Sequence, residues 1–185
     1  GCSQNSSNLA KITEWNRLAT EHNFIVLYPD QKRGNNSSNC FNWFELEDIS
    51  KGTGEVQSII NMIDYTIDTY NVDTTRIFVY GVSAGAAMSV ALLAVYPTYF
   101  KAGAILAGVP YKAATNKKMA FKAMLNTVDK PPEEWGELIP KDTSVSYPKL
   151  LVFHGVKDKI VDIGNSLELI EQWSNVHGID TTPDL

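Results

Sequence analysis

The apolar residues of this chain fall into two rhythms. Leu9, Ile12, Trp15 and Leu18 recur every three or four positions, which predicts a helix over 8–21. Phe24–Pro29, FIVLYP, is instead a continuous apolar run closed by proline, the pattern of a strand buried on both faces. Residues 30–52 turn polar, rich in Asn, Ser and Gly around CFNWF, and predict a long loop of the kind that often carries function. Val56, Ile59, Ile60, Ile63 and Ile67 restore the helical rhythm over 54–70. RIFVYG (Arg76–Gly81) predicts a second buried strand, and the helix that follows from Ala84 to Tyr96 is stopped by Pro97. Ala102–Gly108 predicts a third strand and Lys149–Gly155 a fourth; between them, 111–147 is mixed and proline-containing. Leu167, Leu169, Ile170, Trp173 and Val176 predict a last helix over 164–176.

Strands alternating with helices imply an α/β fold with a mostly parallel sheet. Such sheets carry their sites at the carboxyl ends of the strands. Tyr80, His154 and Pro29 each close a predicted strand, so the residues after them should crowd one edge.

Composition adds limits. The 185 residues suffice for one domain with a full core, and 44% hydrophobic with 20% charged residues predicts a folded chain. A formal charge of −5 gives no reason to expect nucleic acid or an anionic membrane as partner. No apolar run nears the ~20 residues of a membrane span. The only cysteines, Cys2 and Cys40, do not make a zinc site, and no phosphate-binding glycine loop is present, so neither metal nor cofactor is expected. Asn5, Asn35 and Asn36 each begin an Asn-x-Ser acceptor pattern, which hints at a secreted surface. Oligomeric state is left open.

The chemistry concentrates at Gly81-Val82-Ser83-Ala84-Gly85. Gly-x-Ser-x-Gly between strand and helix is the nucleophile-elbow pattern. Chance alone produces it in about one chain in fifteen of this length, so the flanking strand and helix matter. Small residues on either side let strand and helix approach closely. The helix N-terminus offers free N–H groups, and that of Ala84 can bind the oxyanion of a tetrahedral intermediate.

A serine nucleophile needs a base, and the base an orienting acid, in the chain order Ser, Asp or Glu, His. Asp158, in HGVKDKIV just past the fourth strand, is the acid candidate; Asp162 competes but falls where the next element begins. His22 precedes Ser83 and closes a helix. His154 ends a strand and reads as structural. His177 has the right order but stands before Gly178 at a helix C-terminus, where histidine complements the dipole. The base is therefore expected beyond Leu185.

GCSQN, FIVLYPDQ, CFNWF, GTGEVQSIINMI, RIFVYGVSAGAAM, YPTYFKAGAILAGVPY and VFHGVKDKIV follow one another in that order. Together they closely resemble the esterase family of polyhydroxybutyrate depolymerases, acetyl xylan esterases and feruloyl esterases, over nearly the whole chain. EEWGEL and IEQWSNVHGI are more similar to its carbohydrate-esterase branch. The resemblance implies a secreted α/β-hydrolase-type three-layer sandwich, a single catalytic domain over 1–185, with Ser83 as nucleophile and Asp158 as acid. It implies that Cys2 matches the end of a His-Gly-Cys segment and supplies the second oxyanion donor through its N–H. The early strand before Gly1 and the C-terminal segment with the catalytic histidine are expected to be missing, so that the chain reads as truncated. Cys2 and Cys40 are expected to pair, which a secreted setting permits. Trp43 and Phe44 in the loop, and Trp135 in EEWGEL, are candidates to stack on a sugar or aromatic acyl group. The implied reaction is hydrolysis of acetyl or feruloyl esters on plant xylan. The alternatives are polyester depolymerisation and a non-catalytic carbohydrate-binding relative; a peptide or lipid ester substrate is a third, though no lid-like apolar segment is visible.

Overall fold

The computed structural model describes residues 1–182. Three parallel strands, β1 (Phe78–Val82), β2 (Ala102–Leu106) and β3 (Lys149–Phe153), form a sheet in the order β1-β2-β3. Val82 stands level with Leu106, and Leu106 with Phe153, so the three carboxyl ends share one edge. Helices α1 (Ser6–Thr13), α2 (Trp15–His22) and α3 (Gly54–Thr69) precede β1. Helix α4 (Ala84–Val95) joins β1 to β2; α5 (Lys117–Asn126) and α6 (Pro132–Glu137) lie between β2 and β3, and α7 (Gly164–His177) follows.

Helix α4 is the centre of the core. Its sequence, AGAAMSVALLAV, carries no charge, and every residue but Gly85 is buried. A helix apolar all round must be enclosed rather than laid on a surface. It sits close on the sheet because β2 is small there: a Cβ on Gly103 would fall 2.5 Å from Leu93 Cδ1.

The segment 8–21 differs from the single helix its periodicity predicts. Glu14 adopts a left-handed conformation (φ 55°), which ends α1 and restarts the chain as α2. The break brings Trp15 edge-on to both Tyr80 of β1 (5.8 Å between ring centroids) and Phe24 (6.0 Å).

FIVLYP also departs from expectation. Phe24–Pro29 belongs to no ladder, and Ile25 is 51% exposed. The backbone groups of Ile25–Tyr28 make no hydrogen bond among the described residues. Apolar character drives burial, but a strand exists only through hydrogen bonds to a neighbour. Here a cleft of about 680 Å³ separates the segment from β1.

Candidate active site

Ser83 stands at the turn between β1 and α4 with φ 56° and ψ −124°, a conformation few non-glycine residues adopt. Its backbone is pinned on both sides: its N–H donates to Leu106 O (2.9 Å), and its carbonyl accepts from Ala87 N–H (3.0 Å). The turn closes only because Gly81 lacks a side chain. A Cβ there would lie 2.2 Å from Gly85 O. Ala84 opens α4, so its N–H has no acceptor within the helix and points from the positive end of the helix dipole.

The N-terminal segment lies over this elbow. A Cβ on Gly1 would come 3.6 Å from Ser83 Cβ. Ser3 N–H donates to Ser38 O (2.8 Å) and Gln4 N–H to Gly1 O (3.3 Å), while Cys2 N–H bonds no backbone acceptor among the described residues. Cys2 and Cys40 are joined by a disulfide with 4.1 Å between their Cα atoms, which ties the 30–52 loop to the elbow. The same loop is held from beneath by Glu55 of α3, whose carboxylate accepts from Asn42 N–H (2.8 Å) and from the Gln31 amide. Burial pushes the Glu55 carboxyl up to about 7, outweighing those two hydrogen bonds, which pull the other way.

Asp158 follows β3 at the same edge of the sheet. Its Oδ1 accepts from Ile160 N–H (2.8 Å) and Val161 N–H (3.1 Å), and these two donors hold its carboxyl below the ordinary carboxylate range. Asp162 is occupied otherwise: its Oδ1 accepts from Thr127 Oγ1 (2.7 Å) and from Gly164 N–H (2.8 Å) at the start of α7.

The three histidines separate cleanly. His177 Nε2 lies 3.3 Å from the carbonyl of Pro148, the residue just before β3, so it sits at the amino edge of the sheet, opposite Ser83. His22 closes α2 just before Phe24, where the FIVLYP segment begins. That segment's other end is the one near Gly1, since Asp30 Oδ2 accepts from Ser6 Oγ (3.1 Å). His154 alone is at the carboxyl edge. Its side chain is 3% exposed, its Nε2 donates to Val161 O (2.9 Å), and Asp158 Oδ2 is 3.6 Å away. Those contacts fasten the ring to the loop that carries Asp158.

The family model described as esterase PHB depolymerase matches residues 1–184. The chain belongs to this esterase family. It is 43% identical to poly(3-hydroxyalkanoate) depolymerase C of Paucimonas lemoignei, over 100% of this chain and 45% of that protein. It is 33% identical to an acetylxylan esterase of Coprinopsis cinerea, over 89% of this chain and 46% of that protein. The chain thus spans about half the length of these curated relatives. The solved acetyl xylan esterase of Aspergillus awamori superposes with a TM-score of 0.91 at 26% identity, covering 100% of this chain and 70% of that one. The fold is that of an α/β hydrolase.

Within this esterase-family chain the three aromatic candidates need correction. Trp135 is 0% exposed: its Nε1 donates to Glu168 Oε2 (2.6 Å) and no ring face is open to a ligand. Trp43 and Phe44 pack edge-on against each other and are likewise buried in the core. These large rings stabilise more by burial than they could at the surface of a loop. Sequence reasoning also passed over Glu55. The available signal was its place one turn before Ile59, on the apolar face of α3, where a carboxylate must find donors.

Proposed function

We propose that this chain carries the nucleophile, acid and oxyanion donors of a serine carboxylic ester hydrolase. The observation that carries the reading is Ser83 at a strained strand-to-helix turn, beside a helix N-terminus and under the Gly1–Cys2 segment. Ser83 Oγ attacks the ester carbonyl and passes its proton to a histidine base. Ala84 N–H and Cys2 N–H receive the oxyanion, each donor of this kind being worth about 3–4 kcal/mol of barrier. The alcohol leaves with the base's proton, and water then releases the acid from acyl-Ser83. Asp158, kept ionised by two backbone donors, orients the base and stabilises its charged form. No histidine among the described residues hydrogen-bonds Ser83, and the base in this mechanism is a histidine outside this sequence. The disulfide supports action in an oxidising, extracellular setting.

Two substrate classes have support. Acetyl esters on xylan are favoured by the backbone similarity to the Aspergillus awamori acetyl xylan esterase, and feruloyl esters by 30% identity to a feruloyl esterase B of Neurospora crassa. A polyester of 3-hydroxyalkanoic acids is favoured by the 43% identity to the Paucimonas lemoignei depolymerase. Burst release of p-nitrophenol from p-nitrophenyl acetate by the complete protein tests the chemistry. Ser83→Ala is expected to remove the burst and lower turnover by at least about 10⁴-fold. A variant that keeps full activity overturns the reading. Acetyl xylan, methyl ferulate and a short 3-hydroxybutyrate oligomer, assayed side by side, then decide the substrate.

A further inference from the structure

Glu55 is a carboxylate at a place where packing alone calls for an apolar residue. It lies in the first turn of α3, 8% exposed, beside Val56 and one turn before Ile59, both buried. Taking a carboxylate out of water is costly unless it is hydrogen-bonded. Its two oxygens accept from two donors of the 30–52 loop, Asn42 N–H (2.8 Å) and the Gln31 amide.

These bonds are the polar anchorage of that loop. Among the described residues, no other hydrogen bond of 31–42 reaches a helix or strand. Both lead to Cys40. Gln31 Nε2 also donates to Cys40 O (3.2 Å), and Gln31 Oε1 accepts from Lys32 N–H (2.9 Å) and Asn35 Nδ2 (3.0 Å), which fixes the orientation of the amide. Asn42 Oδ1 accepts from Asn36 Nδ2 (2.8 Å), and Asn36 Oδ1 accepts from Ser38 N–H (2.9 Å) and Cys40 N–H (3.4 Å). Cys40 is thus held at its N–H and at its C=O by residues that end on Glu55.

The far side of Cys40 is the elbow. Cys40 is bonded to Cys2, and Ser38 O accepts from Ser3 N–H (2.8 Å). Gly1, just before Cys2, rests on the nucleophile turn: a Cβ there would come 3.4 Å from Val82 O and 3.6 Å from Ser83 Cβ.

We propose that Glu55 is a positioning residue for the oxyanion hole: it fixes the 31–42 segment and, through the disulfide, fixes the Cys2 N–H over Ser83. The proposal rests on the reading of Ser83 as nucleophile and Cys2 N–H as oxyanion donor. Glu55 touches neither substrate nor Ser83. A donor to the oxyanion acts chiefly in the transition state, so displacing it slows acylation and leaves ester binding nearly unchanged. Glu55→Gln displaces it by donor chemistry: its NH2 group replaces one accepting oxygen and faces Asn42 N–H or the Gln31 amide, donor against donor.

The test is stopped-flow acylation of the complete protein by p-nitrophenyl acetate at pH 8. The unaltered protein is expected to release a burst of about one equivalent of p-nitrophenol, absent in Ser83→Ala. Without that burst the reading of Ser83 falls, and this inference with it. Given the burst, Glu55→Gln is expected to lower the acylation rate constant at least about tenfold, with the half-saturating ester concentration changed less than about twofold. Gln31→Met, which cuts the link between Glu55 and Cys40, is expected to act alike, and the two changes together to lower the rate no further than either alone. Ile60→Val loosens the same helix without touching the loop and is expected to keep the rate within about twofold. Should Glu55→Gln alter the circular dichroism spectrum, Gln31→Met and Ile60→Val decide. An unchanged acylation rate overturns the positioning role while the burst upholds Ser83. So does a loss confined to ester binding, a multiplicative loss in the double variant, or an equal loss in Ile60→Val.

Discussion

Phe78–Val82 and Phe24–Pro29 are chemically similar runs of aliphatic and aromatic residues, and the molecule treats them differently. The first is paired to β2, backed by α4, and so constrained that it holds Ser83 at φ 56°. The second has no hydrogen-bonded neighbour, and Ile25 within it is half open to solvent. The difference teaches that strand identity is a property of pairs. Hydrophobicity says where a segment would gain by burial, but only a neighbour's donors and acceptors make it a strand. It also teaches where strain can be stored: a disfavoured backbone angle persists where packing over-determines it, as at the elbow.

The largest expected effect breaks the well-packed side. Gly81→Val places a Cβ about where Gly85 O already sits, 2.2 Å away, and pushes β1 from α4. Loss of about 4 kcal/mol or more is expected in urea unfolding, enough to leave much of the chain unfolded. Ile105→Ala, at a position 0% exposed on β2, should cost about 2–5 kcal/mol by the same measurement.

A third test concerns the loop that follows the unpaired segment. The Glu55 carboxyl titrates near 4.5 in the unfolded chain and near 7 when folded, because burial disfavours its charge. Below 4.5 both states hold the proton and the fold carries no penalty. As pH rises through 7 the folded state must give up a proton it holds more tightly, so stability falls between those values, by up to about 3 kcal/mol. Unfolding curves at pH 4.5, 6 and 8 should show this decline, and Glu55→Gln should flatten it. The smallest effect sharpens the contrast: Ile25→Ala should cost less than about 1 kcal/mol, against the several expected at Ile105. Equal losses at the two isoleucines would show that Phe24–Pro29 is packed as tightly as β2.

Much of this was legible beforehand. Helices α3 and α7 follow from periodicity, the strands at 78–82, 102–106 and 149–153 from continuous runs of small and apolar residues, and α4 from an apolar run closed by Pro97, because pattern and partners agree. The elbow was legible because its demands are local: two glycines, a serine, and a change of rhythm within a few residues. The break at Glu14 was not, since neither glycine nor proline marks it, and the contact of Trp15 with Tyr80 that accompanies it is tertiary. The aromatic residues misled for the opposite reason. Trp135 sits in a polar sequence, and nothing nearby in the chain announces that Glu168, 33 positions on, will accept its N–H. Assigning Asp158 rather than Asp162 rested on position in the loop. The competing bonds of Asp162 to Thr127 and Gly164 belong to tertiary structure that no spacing reveals.

The bridge between Cys2 and Cys40 closes a ring over a separation of 38 residues. A protease that cuts once inside that ring opens a circle and does not sever a chain. Nicked molecules keep Cys2 tethered beside Ser83 and migrate as one band until thiol is added, when two fragments appear. Damage to its most polar loop is then survivable damage.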